Sequence, residues 1–206
     1  GMVATTSNTW SFTVDYTDPV LDNAVFTNED YSPNWFDQSQ TATATMEVGW
    51  TEVNPSSVEI TVNNIGTFTD NSPTGGTSTF DIPISGEADG TYSISYNMTD
   101  LAGNSTTTIS GTNDAPLGLD SSPPACSMKS LYGDQDYFYA ASANQGYYNN
   151  NQAGFYTVEV NAEDAGSGVQ KVAFPNTTSG GGEDTTSGYS HNYDWDSSDT
   201  FSAEAT

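Results

Sequence analysis

Five oxygen-bearing side chains stand at turn signals. Asp15 and Asp18 precede Pro19, Asp100 and Asn104 bound Asp100-Leu101-Ala102-Gly103-Asn104, and Asp114 precedes Ala115-Pro116. Calcium takes several carboxylate and carbonyl oxygens at roughly 2.3–2.6 Å, so this set is the candidate metal chemistry of the chain. No EF-hand spacing occurs. The same residue types also cap their own backbone in turns, and that plainer role stays open beside the metal.

Other chemistry is sparse. With a single His and a single Cys there is no zinc set, no Cys–His dyad and no internal disulfide. His191 shares the parity of Tyr189, Tyr193 and Trp195 and reads as a packed or edge histidine, and Cys126 as an idle thiol. Asp164-Ala165-Gly166-Ser167-Gly168 lacks the lysine and following helix of a phosphate cradle and reads as a β-turn. Acids are plentiful, but nothing sets two of them across a cleft, so the chain is expected not to be an enzyme. Asn97, Asn104 and Asn176 satisfy Asn-x-Ser/Thr, but a chain this rich in Asn, Ser and Thr yields several matches by chance; they mark only where a glycan could attach. Tyr137, Phe138, Tyr139, Tyr147 and Tyr148 form an aromatic tract amid Asn and Gly. It reads either as a sugar-stacking platform or as a loop packed on its own domain.

The elements that must position these residues are strands. Apolar residues recur at every second position in Ala42–Trp50, at Val58, Ile60 and Val62, at Phe80, Ile82 and Ile84, and at Tyr92, Ile94, Tyr96 and Met98. A second block repeats the pattern at Tyr156, Val158, Val160 and Ala162, at Val172 and Phe174, and at Tyr189, His191, Tyr193 and Trp195. Such runs, bounded by Gly, Pro, Asn or Asp, predict antiparallel sandwiches with one face buried. Among 206 residues, 2 Lys+Arg face 27 Asp+Glu, a net charge of -25. That excludes a phosphate-binding groove for nucleic acid and an anionic membrane surface. No apolar run is long enough to span a bilayer, and Gly1–Thr6 has neither the basic nor the apolar region of a secretion signal.

Asp89-Gly90-Thr91-Tyr92-Ser93-Ile94, the Asp100–Asn104 turn and Asn113-Asp114-Ala115-Pro116 together resemble the end of a bacterial Ig-like repeat of the kind found in tandem on cell-surface proteins. Gly154–Val158, Asp164–Val169, Phe174-Pro175 and Tyr193-Asp194-Trp195 resemble another branch of that family. The resemblance implies two tandem Ig-like β-sandwiches, residues 17–114 and 115–206, in an extracellular or cell-surface protein of structural or adhesive role. It also implies calcium at junctions between units. Some Ig-like modules carry a Lys–Asn cross-link, but Lys171 has the parity opposite to Val172 and Phe174 and is expected to face outward.

The two blocks differ at their ends. The first has a last strand at about Ser105–Gly111. In the second, Thr200–Ala205 reads as the penultimate strand, and a final one is expected to be missing. Residues 1–16 hold the opposite surplus: Trp10, Phe12 and Val14 alternate with Ser11 and Thr13, like a closing strand ahead of a linker. An incomplete sandwich exposes an edge that a strand from a copy of the same chain would fill head-to-tail. Two alternatives stand beside this. The chain is an excerpt of a longer array, such as an adhesin that binds glycan or another surface ligand, or the leading strand pairs within the first block.

Overall fold

The computed structural model describes residues 11–31, 33–177 and 180–198. The chain divides into two compact units between Ser121 and Ser122. Every regular element among the described residues is a strand, and no helix is long and apolar enough to cross a membrane.

The first unit contains, in chain order, β1 (Val20–Phe26), β2 (Trp35–Phe36), β3 (Thr43–Thr51), β4 (Pro55–Val62), β5 (Gly66–Asp70), β6 (Thr77–Pro83), β7 (Gly90–Tyr92), β8 (Ile94–Asp100), β9 (Ser105–Thr106) and β10 (Leu117–Leu119). One sheet runs β1-β3-β6 and another β5-β4-β8-β9, both antiparallel. Two antiparallel sheets that share one core make this unit a β-sandwich. The alternation seen in the sequence places Ala44, Met46 and Val48 of β3, Val58, Ile60 and Val62 of β4, Phe80 and Ile82 of β6, and Met98 of β8 in one core. Burial of each large side chain contributes about 1.5–3 kcal/mol. The inward polar groups are paired. Trp50 Nε1–H donates to Ser78 Oγ at 3.2 Å, and Ser78 donates to Asp70 Oδ2 at 2.8 Å.

The chain after β8 does not form one continuous last strand over Ser105–Gly111. Ser105 and Thr106 pair with β8. The chain then crosses to the other sheet and runs parallel to β1, with bridges Leu21↔Ile109 and Ala24↔Asn113. Ser110 N–H donates to the Leu21 carbonyl at 2.9 Å, and Ala24 N–H to the Thr112 carbonyl at 2.8 Å. Gly111 lies against the Asp22 carbonyl, where a Cβ would collide, so this crossing needs glycine. The Asn113–Pro116 segment, expected as the seam, leads back into the first unit. Leu117 and Leu119 of β10 are fully buried there, in a small sheet ordered β2-β10-β7.

The second unit contains β11 (Ala125–Gly133), β12 (Phe138–Ser142), β13 (Gln145–Tyr148), β14 (Gly154–Glu163), β15 (Val172–Thr177), β16 (Gly180–Asp184) and β17 (Ser190–Trp195). Its sheets are β11-β14-β17, β12-β13 and β15-β16. The core holds Val160, Phe174, Tyr189 and Tyr193, with Tyr156, Val158 and Val172 packed against it. Rings replace aliphatic bulk: Tyr156 stacks on Tyr193 at 5.0 Å, and His191 stacks on Phe174 at 5.5 Å.

The two units repeat one plan at the level of register. In β1 the ladder slips between Leu21↔Trp50 and Asn23↔Gly49; in β11 it slips between Met128↔Val160 and Ser130↔Glu159. Val58 faces Asp70 across β4 and β5, and Val172 faces Asp184 across β15 and β16. Each of these aspartates accepts from the backbone two residues on, at Ser72 and Thr186. Strands β11, β14, β15, β16 and β17 thus correspond to β1, β3, β4, β5 and β6. The expected penultimate strand, Thr200–Ala205, lies outside the described residues.

Candidate functional site

The correspondence isolates two edges that have no further strand partner among the described residues. In the first unit β4 has β5 on one side and β8 on the other; in the second, β15 pairs with β16 alone among the described residues. The 109–113 segment covers β1, where Leu21 is 0% exposed; its counterpart in β11, Met128, is 42% exposed. The whole stretch from Ala125 to Lys129 is exposed along that edge.

At the other end of the chain, residues 11–19 form no strand. Phe12, Val14 and Tyr16 are 89%, 66% and 88% exposed, so the alternation read from the sequence is present with nothing covering its apolar face. Within the described residues this segment does not pair in the first sandwich. Trp10 lies outside the described residues.

Three of the five expected metal residues converge. Asp100 Oδ1 accepts from the backbone N–H of Gly103 and Asn104, and its Oδ2 from Asn104 Nδ2 at 2.8 Å. Burial opposes ionisation of Asp100, but these hydrogen bonds outweigh it and hold the carboxyl below its ordinary value. Asn104 Nδ2 also reaches the Asp15 carbonyl at 3.3 Å. Asp15, Asp100 and Glu52 each bring a carboxylate oxygen within 4.8 Å of the other two. The sequence reading missed Glu52: the turn at Asn54-Pro55 is marked in the sequence, but only the fold brings Glu52 beside Asp15 and Asp100. Asp18 is not in this group. Asp114 serves elsewhere, accepting from Phe26 N–H at 3.0 Å. An open groove beside the group is lined by Trp50, Glu52, Val53, Pro55 and Pro73.

The aromatic tract is a hairpin with two faces. Phe138 stands opposite Tyr148, and Tyr139 opposite Tyr147. The first pair turns inward: Phe138 stacks on Tyr156 at 5.7 Å, and Tyr148 meets Trp195 edge-on at 5.4 Å. The second pair turns outward. Of the Asn-x-Ser/Thr sites, Asn176 is exposed, whereas Asn97 and Asn104 are half-buried. Lys171 faces outward and pairs with Glu183 at 2.6 Å. Cys126 is an exposed free thiol on the open edge of β11.

Fold and edges together define an all-β protein of sandwich-type units with exposed pairing edges. No protein-family model and no curated protein matches the chain.

Proposed function

We propose that this chain is a structural subunit of an extracellular filament or surface array, without enzymatic activity, related to bacterial Ig-like tandem repeats. Copies join head-to-tail, the segment around Trp10, Phe12 and Val14 of one completing the second unit of the next. The observation that carries this reading is the pairing of an uncovered apolar segment with an uncovered acceptor edge. Phe12 and Val14 lie exposed and outside any sheet, while Met128 lies open where its counterpart Leu21 is sealed. Spacing adds to it: Phe12 stands as far before Pro19 as Ile109 stands before Pro116, which sets Phe12 over Met128 as Ile109 sits over Leu21. Burying each of these side chains contributes about 1.5–3 kcal/mol before the cost of ordering the segment. A head-to-tail joint does not close on itself, so it builds a filament rather than a ring. The strong negative charge keeps subunits apart except at that joint.

Deleting residues 1–14 tests the reading. The full chain is expected to form fibres with a fixed axial repeat by negative-stain microscopy, and the deletion to leave separate particles. Assembly that survives the deletion refutes the donor role.

Calcium fits this reading as the cofactor. It would offset the three like charges of Asp15, Glu52 and Asp100 just behind the donor segment and fix where that segment leaves the first unit. Thermal unfolding of the first unit is then expected to shift several degrees upward with millimolar calcium and back with chelator. An unchanged melting temperature refutes a calcium role.

A further inference from the structure

We infer that the outward face of the β12–β13 hairpin is a binding platform for a neutral glycan chain. Tyr139 and Tyr147 are direct cross-strand neighbours, 67% and 57% exposed, with ring centroids 6.5 Å apart and planes 21° from parallel. Two tilted, solvent-facing rings side by side offer what the C–H face of a sugar ring stacks upon, and a pair of rings spans more than one sugar.

The platform is held in place before any ligand arrives. Phe138 and Tyr148, on the opposite face of the same hairpin, are clamped against Tyr156 and Trp195. Gly146 lies flush on the Phe138 ring, leaving no room for a side chain. Gln145 Nε2 donates to the Tyr147 hydroxyl at 3.1 Å, which fixes the outer ring and leaves the Gln145 amide oxygen able to accept. A rigid platform loses little freedom on binding.

Charge selects the ligand class. From Tyr137 to Val158 no side chain is ionisable as an acid or a base of the Asp, Glu, Lys, Arg or His type, in a chain of net charge -25. This neutral window is filled instead by amides, at Asn144, Gln145, Asn149, Asn150, Asn151 and Gln152. Paired amide donors and acceptors suit sugar hydroxyls. The net charge of -25 repels sulfated or uronic chains, and both lysines of the chain are already paired with glutamates, Lys129 with Glu159 and Lys171 with Glu183.

The test is affinity electrophoresis of the full chain through gels containing dextran, galactomannan or laminarin as neutral probes and alginate as an anionic one. Retardation by at least one neutral probe, none by alginate, and a loss of tenfold or more in apparent affinity for Tyr139→Ala with Tyr147→Ala are expected. Tyr139→Phe with Tyr147→Phe keeps the rings and is expected to retain most of the binding. Both rings are exposed, so the melting temperature of the second unit should hold in every variant. Absence of retardation by all three neutral probes overturns the inference. So does equal binding by the double alanine variant, or a change in its solution mass without polysaccharide, which would make the pair a self-contact.

Discussion

Trp195→Ala is expected to unfold the second unit while the first stays folded, at a cost of about 3–5 kcal/mol. Trp195 is 3% exposed and lies where three elements meet. Tyr148 of the hairpin meets its edge, Phe138 and Tyr156 flank it at 6.2 and 6.3 Å, and its Nε1–H donates to the Gln152 carbonyl at 2.8 Å. Gly154, its cross-strand partner, is bare so that the indole can lie over the β14 backbone. Removing the indole opens a cavity beside three rings, on a side where Gly154 has no side chain to move into it. It also removes the hydrogen bond from the indole to the Gln152 carbonyl. The first unit has a separate core, so urea unfolding followed by circular dichroism should resolve two transitions, with only one moved to lower denaturant. A single transition, shifted as a whole, would contradict the independence of the two cores. The hairpin loses its anchor with the indole, so the outer tyrosines would lose their fixed spacing in the same variant.

How much of this was legible in the sequence follows from where the information resides. Strands β3, β4, β6, β8, β14 and β17 carry period-two alternation because one face of each meets a core and the other meets water. Strand β16 is Gly180-Gly181-Gly182-Glu183-Asp184, a run with no strand propensity of its own. It exists because β15 supplies the partner, and Gly181 fits against the Phe174 carbonyl where a Cβ would not. Pairing with a neighbour, not local preference, makes that strand. The tract Tyr137–Tyr148 allowed two readings, platform or packed loop. Cross-strand geometry gives it both faces, since Phe138 and Tyr139 are adjacent in the chain and point opposite ways. The seam was displaced because Asn113–Pro116 has every mark of a linker, while the burial of Leu117 and Leu119 depends on β2 and β7, far away in the chain. Glu52 was invisible for the same reason: what makes it a candidate ligand is proximity to Asp15 and Asp100, which only the folded turn creates.

Cross-linking gives the largest effect expected of the proposed joint, because it converts a reversible contact into a covalent ladder. If Phe12 of one copy takes the place over Met128 that Ile109 takes over Leu21, Phe12→Cys with Met128→Cys places two thiols on neighbouring strands. Adjacent strands lie about 4.8 Å apart, inside the Cα separation a disulfide accepts. The native Cys126 lies two residues from Met128 on the same edge and must be removed as Cys126→Ser so that it does not compete. Mild oxidation is then expected to yield a non-reducing gel ladder of dimers, trimers and longer species, dissolved by dithiothreitol, with a Phe12–Met128 linked peptide found by mass spectrometry. The second bridge of the first unit, Ala24↔Asn113, supplies a check on register. The corresponding pair is Leu131 and Tyr16, so Tyr16→Cys with Leu131→Cys should link as well, and the mismatched pair Phe12→Cys with Leu131→Cys should link poorly. Equal yields from matched and mismatched pairs would refute the register while leaving a donor strand in place. Only Phe12–Phe12 links, the product of random collision between exposed thiols, or a link that leaves the chain monomeric, would refute the head-to-tail joint itself.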